Sequence, residues 1–183
     1  MKINPEQYYK LLAPRPTVAI TTFNSLDAIN ACVISFISPV SSKPPILMIS
    51  LASVRHSYEN ITRTKEFVVN ILGKEHADQL LMCARRYQEG VNKVQQAGLK
   101  WYSSKLVKPP RIKEAKAWIE CKVVEEKKVG DHVVIFGEVM AVEVKDDVMA
   151  KDEIDLTKIN PIMHIGGDEF AVDFKIIKHK RYD

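Results

Sequence analysis

The sequence predicts a mainly β fold, a barrel with inserted helices (α+β), as a single domain over residues 1–183. Three observations point there. Apolar runs of strand length open the chain and return after residue 117, while helix-like patterns are confined to the middle, which argues against alternating β-α-β units. The longest regular pattern, Ala117 to Val144, alternates at period two around one Gly-Asp turn. No repeat of roughly 20 to 50 residues and no low-complexity segment divides the chain, and 183 residues can bury one sizeable core.

Arg15-Pro16 enters a β-branched run, Thr17 to Phe23, and Asn24-Ser25-Leu26-Asp27 reverses it, because short polar side chains bond locally to backbone. Ile29 to Phe36 is the second strand. Pro44-Pro45 blocks a helix and opens a third strand, Ile46 to Leu51. Arg55-His56-Ser57 then stands where a short helix begins, with Ser57 as its N-cap. Phe67 to Leu72 reads as a buried strand, and His76 to Ala84 as a helix with Leu80, Leu81 and Ala84 on its apolar side. Val91 to Ala97 is a second helix stopped by Gly98. Lys105 to Lys113, interrupted by Pro109-Pro110, is a loop of the kind that runs along a cofactor edge or a dimer seam.

Ala117–Val129 and His132–Val144 form a hairpin through Gly130-Asp131. On the second strand Val133, Ile135, Gly137, Val139 and Ala141 share one face, and Val134, Phe136, Glu138, Met140 and Val142 the other. Apolar residues on both faces predict cover on both, from helices or a second subunit. Gly137 marks a bulge or the close approach of another group. Asp155 to Lys158 is one helical turn, and Ile162 to Ile165 and Phe170 to Ile177 are final strands.

Between Arg15 and Leu72 the polar residues fall at junctions between strands, as in a ligand site. Ser50, Arg55, Ser57 and Asn60 surround one strand-to-helix junction. Free N–H groups at a helix start, a hydroxyl and a guanidinium together suit a phosphate. Taken singly, Ser57 reads as a cap and Arg55 as a solvated charge.

Composition excludes more than it selects. Twenty-seven basic against 23 acidic residues leave a net charge of +4, a mixed-sign surface rather than a nucleic-acid footprint. The densest basic stretch, Lys175 to Arg181, reads as a solvated end. The opening MKINPEQYYKLL has no apolar core of a secretory signal, and no stretch approaches the roughly 20 apolar residues of a membrane span, so a cytoplasmic location is expected. Cys32, Cys83 and Cys121 are widely spaced and predict buried, reduced thiols with no metal site. The seven glycines form neither a Gly-x-Gly-x-x-Gly fingerprint nor a P-loop, and Gly-x-Ser-x-Gly and His-Glu-x-x-His are missing.

The order Arg15-Pro16, Thr21-Thr22, Asn30-Ala31, Ser35-Phe36, Pro44-Pro45, Ser50, Ser57, Asn60 and Phe67-Val68-Val69-Asn70 resembles the flavin reductase-like family, the FMN-binding split barrels. Lys93 with Gly98-Leu99, Pro110-Arg111-Ile112, Glu120-Cys121, Gly130-Asp131-His132, Phe136-Gly137-Glu138-Val139 and His164-x-Gly166-Gly167 look like that family's later landmarks in the same order. Within the family the chain looks closest to the branch of flavoredoxin and archaeal ferric reductase.

The resemblance implies a Greek-key split β-barrel that binds FMN, with FAD as the alternative flavin. By the family pattern Thr22, Asn30, Ala31, Cys32, Val33 and Ser35 would lie against the ring edge. Ser50, Leu51 and Ala52 would run beside the ring and ribityl chain. Arg55, His56, Ser57 and Asn60 would surround the phosphate, although His56 stands where the family commonly has an acid or a lysine. His132 is the catalytic candidate, helping a nicotinamide dock at the open flavin face, and His164 is a further cofactor-binding candidate. The implied activity is an NAD(P)H-dependent flavin or ferric reductase acting as a homodimer. Two alternatives stay open: an FMN electron carrier that serves a redox protein partner, and a barrel without flavin that binds nucleic acid or is structural.

Overall fold

The computed structural model describes residues 2–151 and 153–179. A 3-10 helix, Pro5–Leu12, precedes β1 (Arg15–Pro16) and the hairpin of β2 (Val18–Phe23) and β3 (Ile29–Ile34). Asn24 makes that turn, its side-chain oxygen accepting from the Leu26 and Ala28 amides. A second hairpin, β4 (Ile37–Ser42) and β5 (Pro45–Ala52), leads to α1 (His56–Thr64) and β6 (Glu66–Ile71). The middle holds α2 (Ala77–Ala84), α3 (Lys93–Gln96) and the short pair β7 (Trp101–Tyr102) and β8 (Arg111–Ile112). After them come β9 (Ala117–Val129) and β10 (His132–Val144), then β11 (Met149–Ala150), β12 (Glu153–Ile154), α4 (Leu156–Ile159), β13 (Met163–Gly166) and β14 (Glu169–Ala171).

Seven strands make one antiparallel sheet in the order β3-β2-β6-β9-β10-β5-β4, and β1-β13-β14 make a smaller one beside it. In a flat sheet β2 and β5 would lie about 19 Å apart, four strand spacings. Here Val18 and Ile20 of β2, Leu47, Ile49 and Leu51 of β5, and Phe67, Val69, Cys121, Val133 and Ile135 of the strands between form one buried cluster with Ile61 of α1. The sheet is therefore curled around this interior. Alternate residues of the same strands, Ala19, Ile29, Ala31 and Val68, face outward into a second cluster with Leu80, Cys83, Val94, Ile112 and Trp118. Period-two alternation thus feeds two cores, one inside the curl and one beneath α2 and α3.

β9 and β10 have the predicted limits, and Gly130-Asp131 joins them with φ +61° at Gly130, the first central position of a two-residue hairpin loop. The register slips between Phe136 and Gly137, and a Cβ at Gly137 would lie 2.6 Å from the Phe67 ring. Both readings of Gly137 hold together: the bulge and the close approach meet at one point. Because Phe67 is fully buried and has no free space to yield, Gly137→Val is expected to cost about 1–3 kcal/mol by overpacking. Urea unfolding checks this; an unchanged midpoint would show that the core repacks around the added side chain.

Several expectations are corrected. β4 was not foreseen; Pro39 and the serines hide it, and Pro39 is accommodated because β4 is an edge strand with a register shift between Pro39 and Ser41. α2 buries Leu80 as expected but with Cys83 beside it, while Leu81 and Ala84 are exposed. The last strand stops at Ala171 rather than Ile177, since β14 pairs with β13 only and Ile176 and Ile177 are exposed. Residues 105–113 do not run along the cavity described below but pack Val107 and Ile112 into the outer core. The face of β10 with Val134, Phe136, Met140 and Val142 is half-buried to exposed, so helices of the same chain do not supply its cover, one of the two sources expected for it. Of the three cysteines Cys83 and Cys121 are buried, Cys32 is half-buried, and none forms a disulfide. Lys180 and Arg181 of the basic end lie outside the described residues.

Candidate functional site

A cavity of about 550 Å³ opens between β3, the end of β5, the start of α1 and the segment after α2. Its walls follow from strand alternation and from one kink. β3 runs into β4 through Ser35 and Phe36, and the Phe36 carbonyl accepts from the Ser50 amide at 2.9 Å. This brings Cys32, Val33, Ser35, Ser50, Leu51 and Ala52 onto one cavity. The expected residues Arg55, His56, Ser57, His132 and His164 line it as well.

Thr22, Asn30, Ala31 and Asn60 do not reach the cavity wall. Ala31 belongs to the outer core. The other three form a buried polar layer behind Ser57: Asn30 Nδ2 donates to Ser57 Oγ at 2.9 Å and to Thr22 Oγ1 at 3.2 Å, and Asn60 Nδ2 donates to Thr22 Oγ1 at 3.2 Å. Ser57 is not the N-cap. Arg55 holds that position without a side-chain cap bond, and Ser57 sits buried in the first turn. Asn30 occupies the Ser57 oxygen as an acceptor, so the hydroxyl hydrogen is left to point elsewhere.

The electrostatics are one-sided. Five basic side chains, Arg15, Arg55, Arg85, Arg86 and Lys93, line the cavity, and no carboxylate does. Lys93 stands 5.8 Å from the centre of the Tyr87 ring. Burial pushes its ammonium pKa down, and the nearby Arg55 charge acts in the same direction against the opposing pull of Cys32 and Cys83. Burial pushes the Cys32 thiol up, only partly offset by the Ser57 hydroxyl and by Lys93 and Arg55, which keeps it protonated at neutral pH. A thiolate nucleophile is not what this position favours.

At the opposite side Arg15 is held by its surroundings. Its guanidinium lies 5.6 Å from the Tyr9 ring centre and 5.8 Å from that of Phe36, and Nη1 donates to the Tyr9 carbonyl. His164 Nδ1 lies 3.2 Å from Arg15 Nη2 and 3.3 Å from Ser35 Oγ, while Nε2 is 3.0 Å from the Gly167 carbonyl. Guanidinium only donates and a carbonyl only accepts, so these contacts suit the tautomer with its proton on Nε2. Both ring nitrogens are thereby engaged, and His164 positions Arg15. His132 opens β10, with Nδ1 2.8 Å from Asp131 Oδ1 and its ring 5.8 Å from that of Phe36. The His132 bond holds the Asp131 carboxyl below its ordinary pKa, consistent with an Nδ1–H donor and a free Nε2.

Sequence reasoning missed Tyr9, Ile34, Phe36, Val54, Ala84, Arg85, Arg86 and Tyr87 as wall residues, and gave Arg15 and Lys93 no role. Arg15 and Lys93 already stood among the recognised landmarks; Arg85 and Arg86 carried no reading in the sequence. Among the described residues no group of three or more His, Cys, Asp or Glu side chains comes together, and no helix is long and apolar enough to cross a membrane.

Residues 11–167 match the model of the flavin reductase like domain. The chain belongs to that family. A protein of Aquifex aeolicus (strain VF5) with no described activity is 35% identical over 176 residues, 93% of this chain and 90% of its own length. Among solved structures, nitrilotriacetate monooxygenase component B from Bacillus cereus superposes with a TM-score of 0.88 at 22% identity, covering 98% of both chains. Flavoredoxin from Methanosarcina acetivorans gives 0.88 at 20% identity, over 98% of this chain and 94% of its own. At these identities the two structures establish the shared fold: mainly β, with helices inserted between strands.

Proposed function

We propose that this protein is an NAD(P)H-dependent flavin reductase that holds FMN in the cavity and works in the cytoplasm as a homodimer of Greek-key split barrels. The observation that carries the reading is the cavity itself, with a cationic, carboxylate-free end at the start of α1 and a wall of small and apolar strand residues. The residues present fit a flavin phosphate: free N–H groups of a helix start, the Arg55 guanidinium and the Ser57 hydroxyl converge there. A volume near 550 Å³ is that of a small-molecule site.

When bound, FMN supplies the hydride and electron chemistry, so the chain has only to bind it, orient it and leave one face open. Val33, Ser35, Ser50, Leu51 and Ala52 would lie along the ring and ribityl chain. Asn30 fixes the Ser57 rotamer, backed by Thr22 and Asn60. His132 Nε2 stands at the open side as a donor or acceptor for an incoming nicotinamide. The half-exposed apolar face of β10, with Val134, Phe136, Met140 and Val142, supports pairing with a second copy.

The visible absorption spectrum of the purified protein, before and after anaerobic NADH or NADPH, tests the proposal. A yellow protein that bleaches is expected. One that stays yellow is an electron carrier reduced by another protein, and a colourless one that also refuses added FMN removes the flavin reading.

A further inference from the structure

The cationic end of the cavity carries more charge than one flavin monophosphate requires. Arg55 with the start of α1 already serves a phosphate of about two negative charges. Arg85, Arg86 and Lys93 add three cations on the other wall, supplied by α3 and the segment that leaves α2. The bland account is that Arg85 and Arg86 complement the C-terminal dipole of α2 and are otherwise solvated. Lys93 is not explained that way: it is half-buried, belongs to a helix of a single turn, and lines the same cavity as Arg55. Among the described residues, none of the Arg55, Arg85 and Arg86 guanidinium groups or the Lys93 ammonium makes a hydrogen bond or ion pair with a protein group; Lys93 meets only the face of Tyr87. Four cations gathered on one cavity without a carboxylate repel one another unless anions join them. A separate narrow pocket adjoins this end, lined by His56, Tyr87 and Lys93 with Asn24, Asn30, Asn60 and Gln88, and the carboxylates of Glu59 and Glu89 line that pocket rather than the cavity.

From this arrangement we infer a second phosphoryl subsite, formed by Arg85, Arg86 and Lys93, next to the phosphate position at Arg55 and Ser57. It rests on the flavin reading above and deepens it. The subsite takes a ligand phosphate beyond that of FMN. Two ligands bring such a group: the pyrophosphate of FAD, and the 2′-phosphate that separates NADPH from NADH.

The test compares the wild type with an Arg85→Ala/Arg86→Ala double variant. Both side chains are exposed, so the variant should fold. Flavin fluorescence titrations give the affinities for FMN and FAD, steady-state kinetics give KM for NADH and NADPH, and thermal melts are run with inorganic phosphate and inorganic pyrophosphate. The subsite predicts a selective loss of about tenfold or more. FAD weakened relative to FMN identifies the pyrophosphate as the source, and NADPH weakened relative to NADH identifies the 2′-phosphate. In either case the wild type should be stabilised more by pyrophosphate than by phosphate, and the variant should lose that difference. If both ratios stay within about twofold of wild type, the subsite is wrong. Should the wild type take no flavin, the flavin reading fails by itself and the melts decide: stabilisation by pyrophosphate lost in the variant sustains the subsite, while equal shifts in both proteins overturn it.

Discussion

Arg111→Met is expected to cost about 3–5 kcal/mol, because it strips a fully buried carboxylate of its counter-charge. Arg111 and Glu120 are both completely inaccessible to solvent. Arg111 Nε donates to Glu120 Oε1 at 2.7 Å, Nη2 stands 2.6 Å from the same oxygen, and Nη1 lies 2.8 Å from Glu143 Oε2. The Lys105 and Leu106 amides complete the Glu120 shell at 2.8 and 2.6 Å. The loop before β8 is thus fastened to the far end of the β9–β10 hairpin by charge as well as by Val107 and Ile112. Replacing Arg111 leaves Glu120 ionised and unpaired or forces it to take up a proton, both costly in a dry site. Arg111→Met/Glu120→Gln keeps an amide acceptor without the charge and is expected to be less destabilised than the single variant. Urea unfolding measures both; a single-variant loss under about 1 kcal/mol would mean that water reaches Glu120.

The same cluster sets an acid limit. Burial alone would raise the Glu120 pKa, but the two backbone donors and Arg111 outweigh it and hold the carboxyl below its usual value. Hydrogen bonds from Arg111 and then Lys105 bring Glu143 down to about 2. A carboxyl depressed on folding contributes stability that is complete above its unfolded pKa, roughly 4.3, and drains as pH falls through the folded value. Wild-type stability should therefore decline steeply from about pH 4.3 toward pH 2, with a shallower slope in Arg111→Met. His132 lies at the other end of β10, 11 residues away and about 36 Å along the strand, so the folded fraction of that variant should retain its cavity.

What the chain disclosed in advance follows from how local each determinant is. The β9–β10 hairpin was legible to the residue because strict alternation and a glycine turn are properties of neighbours in sequence. The β3 and β5 wall and the Arg55–Ser57 corner were legible for the same reason, being short contiguous stretches that deliver backbone and small side chains together. Arg85 and Arg86 reach the cavity only because Leu80 and Cys83, rather than Leu81 and Ala84, are the buried side of α2. That choice belongs to packing against β3, which an eight-residue apolar segment does not encode. Asn30 and Asn60 carried the right identity and the wrong layer. Polar residues at strand junctions look alike in sequence whether they touch a ligand or orient the residue that does, and here Ser57 comes between.

Arg55→Ala should separate phosphate recognition from ring recognition. The guanidinium lies at the α1 start, capped by no side-chain bond and paired with no carboxylate among the described residues. Its loss removes a charge-assisted interaction worth about 1.5–3 kcal/mol, or roughly a 10- to 150-fold drop in FMN affinity. Riboflavin, which has the same ring and no phosphate, should bind the variant as it binds the wild type. Salt should weaken FMN binding to the wild type more than to the variant, since screening acts on the interaction that the variant lacks. Fluorescence titration of both flavins at two ionic strengths measures all of this together. Equal losses for riboflavin and FMN would move the phosphate away from α1 and leave Arg85, Arg86 and Lys93 as the anion-binding end, whereas a loss confined to FMN places the phosphate at Arg55 and orients the ring toward Ser35 and His132.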